Sequence, residues 1–241
     1  YPYSNNNLDE LPRNLSNAID LFLDSIVKQI VDSKVDCVAL TVLTYVQQQW
    51  AQRFLQRLRA VTDVTTIAGG PGIGVPYRFD NLPTLFGRRL VDSDLLDYYV
   101  LGEGDIVFDE FLQGNVDLLG INSKETLETW QPQIDDLNSV SVPSYRKVNF
   151  DLYRSPEKDA IITIAGSRGC VRRCTFCDVG HLWKKFRFRS GKNVADEILK
   201  HHLEINTTDF FFNDSLMNGS ISEFTSLLEI LGAVLLDIPT R

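Results

Sequence analysis

The chain has 241 residues, 44% of them hydrophobic and 23% charged, with a net charge of −8 and a pI near 4.9. This is enough apolar material for a core in one or two domains, and the charge is too balanced for a disordered tail. The acidic balance argues against bulk-charge binding to nucleic acid or anionic membranes, and no apolar run approaches the ~18–20 residues of a membrane span. The start, Tyr1-Pro2-Tyr3, has neither the basic nor the apolar region of a secretory signal, so a cytoplasmic protein is expected. The only methionine is Met217, which suggests a clipped start.

Taken in order, the elements alternate. Leu15, Ala18, Ile19, Phe22, Leu23, Ile26, Val27, Ile30 and Val31 follow helical spacing. Residues 35–43 form a short β-branched run that reads as a buried strand, with Cys37 as a small apolar core residue. Val46, Trp50, Phe54, Leu55 and Leu58 form a second helical stripe. A strand over 64–68 ends in Gly69-Gly70-Pro71-Gly72, and one over 98–101 ends in Gly102-Glu103-Gly104-Asp105. Residues 106–112 read as a helix. Strands alternating with helices, with glycines at the strand ends, give a parallel α/β pattern. Residues 113–158, rich in Asn, Ser, Pro and Asp, read as a linker. Beyond it come a strand over 160–165, a cysteine loop, and a helix capped by Asn193 that carries Val194, Ile198, Leu199 and His202. A strand over 209–212 and a helix over 220–231 follow, and a third unit is expected to start near 234–238.

Cysteine usage is the informative part. Cys170, Cys174 and Cys177 stand as C-x3-C-x2-C on a loop just after a strand. Such a triplet, in a chain without a signal peptide, reads as a metal or cluster site rather than a disulfide framework. Thiolates favour iron–sulfur or zinc over hard cations. Three of them can hold three irons of a cubane and leave the fourth iron open. Around them lies a basic island. Arg168, Arg172, Arg173, Lys184, Lys185, Arg187, Arg189 and Lys192 stand against one acid, Asp178, whereas residues 1–150 carry the whole net charge of −8. Neighbouring cations favour the thiolate form.

This loop, with Phe176 just before its last cysteine, resembles the radical S-adenosylmethionine superfamily. The resemblance implies that Cys170, Cys174 and Cys177 ligate a [4Fe–4S] cluster whose open iron chelates S-adenosylmethionine. The reduced cluster then cleaves the sulfonium to a 5′-deoxyadenosyl radical. It also implies that Phe176 lies near the adenine, that residues 188–198 enter the first helix, and that Asn213 and Asp214, ending the second strand, contact the cofactor. An external donor such as a flavodoxin or ferredoxin would supply the electron.

The glycine turns look like the cobalamin-binding-type domain that precedes the barrel in one branch of that superfamily. Gly69, Gly70, Gly102, Glu103 and Gly104 are the positions carried over. Residues 1–150 contain no histidine, so no imidazole there can ligate cobalt. Members with this domain order occur with and without cobalamin, and both remain open. The resemblance implies an α/β chain: a doubly wound, Rossmann-like sheet over 1–112, a linker over 113–158, and the start of a partial TIM-type barrel over 159–241. At about 30 residues per strand–helix unit, that last stretch holds two units and the start of a third. The chain is therefore expected to be a fragment, incomplete at its C-terminal side and inactive when isolated.

Methyl transfer to an unactivated carbon, or another radical rearrangement, is the expected chemistry. A methylthiotransferase would need further cysteines in the first domain, and an electron carrier would need a fourth ligand. The alternative from a different class is a zinc-stapled binding module, in which His181 completes a Cys3His set. His181 is otherwise a loop residue, and His201 and His202 read as surface and flank positions of their helix.

Overall fold

The computed structural model describes residues 12–78, 82–152, 161–177 and 179–237. The chain divides into two compact units, Tyr1–Pro132 and Gln133–Arg241, and the division falls within the stretch read as a linker. Among the described residues no helix is long and apolar enough to cross a membrane.

The first unit runs α1 (Arg13–Ser33), β1 (Cys37–Thr41), α2 (Val46–Arg59), β2 (Thr65–Gly69), α3 (Phe86–Asp92), β3 (Tyr98–Val100), α4 (Gly104–Leu112) and β4 (Ile121–Asn122). The sheet order is β1-β2-β3-β4; the first three strands are parallel and β4 is antiparallel to β3. Because strand side chains alternate between faces, the sheet has two cores. Ala68, Tyr99 and Leu101 pack with Leu23, Leu55, Leu58, Phe86 and Leu90 from α1, α2 and α3. Ile67, Val100 and Ile121 pack with Val107 and Phe111 of α4. Helices thus cover both faces.

Of the apolar residues on α1, only Ile19, Leu23 and Val27 are buried, a narrow i, i+4, i+8 stripe. Phe22, Leu15 and Val31 are exposed. Arg57 of α2 ties the helix down through Asp20 (2.6 Å) and Asp24 (3.0 Å). β4 corrects the linker reading. Two residues carry no periodicity to read, and the strand is fixed instead by buried Asn122. Its Nδ2 donates to the carbonyls of Gly120 and Thr129 (both 3.0 Å), and its Oδ1 accepts from the Thr129 N–H (2.6 Å). α3 is two turns long and leaves no readable repeat.

The second unit runs β5 (Ile162–Ile164), β6 (Ser167–Arg168), α5 (Val179–Leu182), β7 (Arg187–Phe188), α6 (Gly191–Ile205), β8 (Phe210–Phe212) and α7 (Ile221–Asp237). β5 and β8 are parallel, with Ile162 opposite Phe210 and Ile164 opposite Phe212. These four residues pack against Val194, Ala195 and Ile198 of α6 and Leu227 of α7. The intervening pair, Thr163 and Phe211, is exposed on the other face. The two parallel strands joined through a helix are one β-α-β unit.

Three further sequence expectations need correction. Ser190, not Asn193, caps α6: its side chain accepts the Asn193 N–H at 3.1 Å. Asn193 lies inside the first turn, where its Oδ1 accepts from Arg189 (2.6 Å). His201 is fully buried, against the ring of Tyr145 (centroids 4.9 Å apart) and 3.5 Å from Glu197. The expected third unit near 234–238 is not a strand, because α7 continues to Asp237. Ile238 and Ala160 lie outside the described residues.

Candidate functional site

Residues 169–177 and 183–186, with α5 between them, connect β6 to β7 within the second unit. The base of this loop is closed by the antiparallel pair β6–β7, with Ser167 opposite Phe188 and Arg168 opposite Arg187. Gly169 has φ +88°, and a Cβ there would stand 2.7 Å from the Lys185 carbonyl oxygen, so the two limbs touch where only glycine fits. Trp183 fills the neck, with the guanidinium of Arg187 5.4 Å and that of Arg168 5.8 Å from its ring centre.

All three cysteines of the loop are free thiols. Cys170 and Cys177 are half-buried and Cys174 is exposed. The Cys177 N–H donates to the Cys174 carbonyl (3.1 Å), and the Arg172 N–H to the Cys170 Sγ (3.4 Å). Among the described residues no three Cys, His, Asp or Glu side chains stand close enough to share a metal ion, so the three sulfurs are not gathered in advance. The donor set nevertheless fits an iron–sulfur cluster in kind. It offers three soft donors on one short loop, none committed to a disulfide or to apolar packing. Ligation energy can gather them, because metal binding and local folding are coupled. Phe176 is 88% exposed beside Cys177, so its ring is available to stack on a ligand. The side chain of His181 lies outside what the structure describes.

The basic island is largely spent on structure. Arg189 pairs with Glu197 in the interior. Arg187 is buried and donates to the Ile134 carbonyl (2.6 Å). Lys185 meets Asp135 (3.0 Å) and Lys192 meets Asp196 (2.6 Å). Arg168 lies over Trp183. Arg172, Arg173 and Lys184 remain, all exposed and without an ion pair among the described residues.

The ends of β5 and β8 separate the two polar residues carried over from the resemblance. The Asp214 carboxylate accepts the Gly166 N–H (3.0 Å) and the Ser167 hydroxyl. It is therefore engaged in holding the chain between β5 and β6. Arg189 grips the same turn: its N–H donates to the Gly166 carbonyl (2.8 Å) and its guanidinium to the Ala165 carbonyl (3.1 Å). Asn213 is exposed and has the same strand parity as Phe211, on the open face. Its N–H donates to the Ile164 carbonyl (3.1 Å), which leaves its side chain free for a ligand. Sequence reasoning missed Ser167 and passed over Arg189 as a member of the basic island. The i, i+4, i+8 spacing of Arg189, Asn193 and Glu197 at a helix entry was the available signal.

In the first unit, an open cleft of about 310 Å³ lies at the C-terminal ends of β1, β2 and β3. Gly69, Gly70, Gly102 and Gly104 line it, with Asp105 and Phe108 of α4. Ala39, Leu40, Thr41, Ile67 and Val100 complete a mostly apolar lining. Glu103 is not among its lining residues; it is buried as the residue before α4. The glycines differ in kind. Gly70 has φ +97°, and a Cβ there would lie 2.6 Å from the Val42 carbonyl oxygen, so it serves the packing of two loops. A Cβ on Gly104 would meet nothing within 4 Å. Gly70→Ala should cost about 1–3 kcal/mol and Gly104→Ala close to nothing, as read from urea midpoints.

Cys37 contrasts with the loop cysteines. Burial, with Asp97 beside it, pushes its thiol pKa up. Less thiolate forms at a given pH, so in iodoacetamide labelling at pH 8 followed by peptide mass spectrometry, exposed Cys174 should react first and Cys37 last.

No family model matches the chain. It is 26% identical to cytidylyl-2-hydroxyethylphosphonate methyltransferase of Streptomyces wedmorensis, over 85% of this chain and 44% of that protein. It is 26% identical to anaerobic magnesium-protoporphyrin IX monomethyl ester cyclase of Rubrivivax gelatinosus, over 74% and 33%. The chain thus spans less than half the length of the curated relatives it matches. The fold resembles TsrM of Kitasatospora setae, a radical S-adenosylmethionine methyltransferase. TsrM has been solved with tryptophan and a SAM analogue (TM-score 0.64) and with cobalamin and a [4Fe–4S] cluster (TM-score 0.62). At 17% identity, both matches cover 93% of this chain and 45% of TsrM. In sequence the chain is thus similar to a methyltransferase and a cyclase, and in fold to a radical S-adenosylmethionine methyltransferase, of the superfamily that the cysteine loop and glycine turns resemble.

Proposed function

We propose that this chain is the part of a radical S-adenosylmethionine enzyme that holds the iron–sulfur cluster and a cobalamin, and that its reaction is a methyl transfer. The observation that carries the reading is the solvent-open loop bearing three uncommitted thiols, which follows the parallel strand β5 by way of β6. Cys170, Cys174 and Cys177 would hold three irons. When bound, the cluster and its cofactors supply the electron and the radical and methyl chemistry that no side chain can.

The chain's own residues hold and orient. Asp214 and Arg189 fix the turn after β5 from which the cysteine loop departs. Gly169 brings the two limbs of that loop together, and Phe176 and Asn213 offer a flat ring and an amide to S-adenosylmethionine. In the first unit, the lining of Ala39, Thr41, Gly69 and Gly102 admits a bulky planar ligand close to the backbone. With no histidine in residues 1–150, no imidazole from that stretch would reach the ligand. A partial TIM-type barrel for the second unit and a Rossmann-like first unit complete the proposal.

Anaerobic reconstitution with iron and sulfide tests it. The chain should take up about four irons with matching sulfide and turn brown, and Cys174→Ala should abolish both colour and iron. A colourless protein that binds one zinc in preference to iron would overturn the reading.

A further inference from the structure

Residues 133–138, expected as part of a linker, run instead along the return limb of the cysteine loop within the second unit. The Ile134 carbonyl accepts from the Arg187 guanidinium (2.6 Å), the Asp135 carboxylate meets Lys185 (3.0 Å), and the Asn138 Oδ1 accepts the Ser190 N–H (2.9 Å). Gln133 opens this row and grips the limb hardest. Its Oε1 accepts the N–H groups of Lys184 (3.1 Å) and Lys185 (3.3 Å), and its Nε2 donates to the Leu182 carbonyl at the end of α5 (3.2 Å). One amide thus holds the backbone on both sides of Trp183.

Lys185 passes this hold to the first cysteine. A Cβ at Gly169 would stand 2.7 Å from the Lys185 carbonyl oxygen, 3.2 Å from the Trp183 Cβ and 3.3 Å from the Phe186 Cα. Gly169 is therefore wedged against the stretch that Gln133 braces, and Cys170 is the next residue. The hydrogen bonds described within 170–177 are local: the Cys177 N–H to the Cys174 carbonyl, and the Arg172 N–H to the Cys170 Sγ. Cys174 is exposed. Of the three thiols, Cys170 is the one whose backbone adjoins a fixed frame. A donor held in place beforehand loses less freedom on binding, and the remaining donors can be ordered by ligation itself.

We propose that Gln133 is a positioning residue of the cluster site: through Lys185 and Gly169 it presets Cys170, and Cys174 and Cys177 are gathered by ligation. This rests on the cluster reading above.

The test uses the full chain, first without iron. Limited iodoacetamide labelling with peptide mass spectrometry gives the rate at each cysteine, and urea unfolding gives the midpoint. Q133M keeps the length of the side chain and loses every one of its loop bonds. Its Cys170 should label about tenfold faster than in wild type, as loss of such bonds opens the limb. The Cys174 rate and the urea midpoint should stay unchanged, because the lost bonds lie at the surface. Q133E can still accept both N–H groups and should stay near wild type. After reconstitution, Q133M should give up iron to a chelator faster than wild type, and Q133E should not. Equal Cys170 labelling in wild type and Q133M, or faster labelling of all three cysteines with a lowered midpoint, would overturn the proposal, as would equal rates of iron loss. Selective labelling of Cys170 in a chain that takes up no iron would support the brace and count against the cluster reading alone.

Discussion

Arg189→Met is expected to remove a large share of the second unit's stability. The guanidinium of Arg189 and the carboxylate of Glu197 are 10% and 3% exposed. Arg189 also donates to Asn193 and to the Ala165 carbonyl, and Glu197 lies 3.5 Å from buried His201. Removing one partner of a buried pair leaves a desolvated charge, at a cost of about 3–5 kcal/mol. Domains are stable by only about 5–15 kcal/mol, so the urea midpoint should collapse and α6 amides should exchange early. Arg189→Lys should fall between, because an ammonium cannot reproduce the guanidinium's fork of donors. Arg189→Met combined with Glu197→Leu should recover much of the loss. Additive costs in that double variant would show that the pair is not coupled.

What could be read in the sequence follows from how many residues each signal spans. The stripes of α1, α2 and α6 and the β-branched runs of β1 and β2 repeat often enough to be periodic, and they appear within two or three residues of their expected bounds. β4, β6 and β7 have two residues each, and two residues have no period. They are fixed by tertiary partners, among them the amide of Asn122 for β4.

The site was legible to the same degree. Three cysteines at short spacing declare their chemistry by residue type alone, as do glycines at strand ends. Charge is harder, because its role depends on what it meets in space. The basic island looked like one electrostatic feature, yet its members divide between buried pairs, ring contacts and surface pairs, and three are left over among the described residues. His201 looked like a surface residue because its neighbours in sequence are Lys200 and His202. Tyr145, more than fifty residues earlier, is what covers it.

Asp214 and Asn213 are adjacent and were both assigned to the cofactor, but strand parity gives them opposite faces and should give their variants opposite phenotypes. In Asp214→Asn, one of the two acceptor oxygens that serve the Gly166 N–H and the Ser167 hydroxyl becomes an amide donor. Hydrogen bonds to a charged group contribute about 1.5–3 kcal/mol each; both lose that charge, and the Ser167 hydroxyl must turn to accept from the new amide. The variant should therefore lose about 2–4 kcal/mol of stability and, because the turn leading to β6 is released, retain less iron after desalting. Asn213→Ala removes an exposed side chain whose backbone bond to Ile164 persists. Its stability should change by less than about 0.5 kcal/mol, and its iron content should match wild type. Its loss should appear in the binding of S-adenosylmethionine by the reconstituted protein, measured by calorimetry. A stable Asp214→Asn chain with full iron and weakened S-adenosylmethionine binding would return Asp214 to the cofactor and refute the clamp.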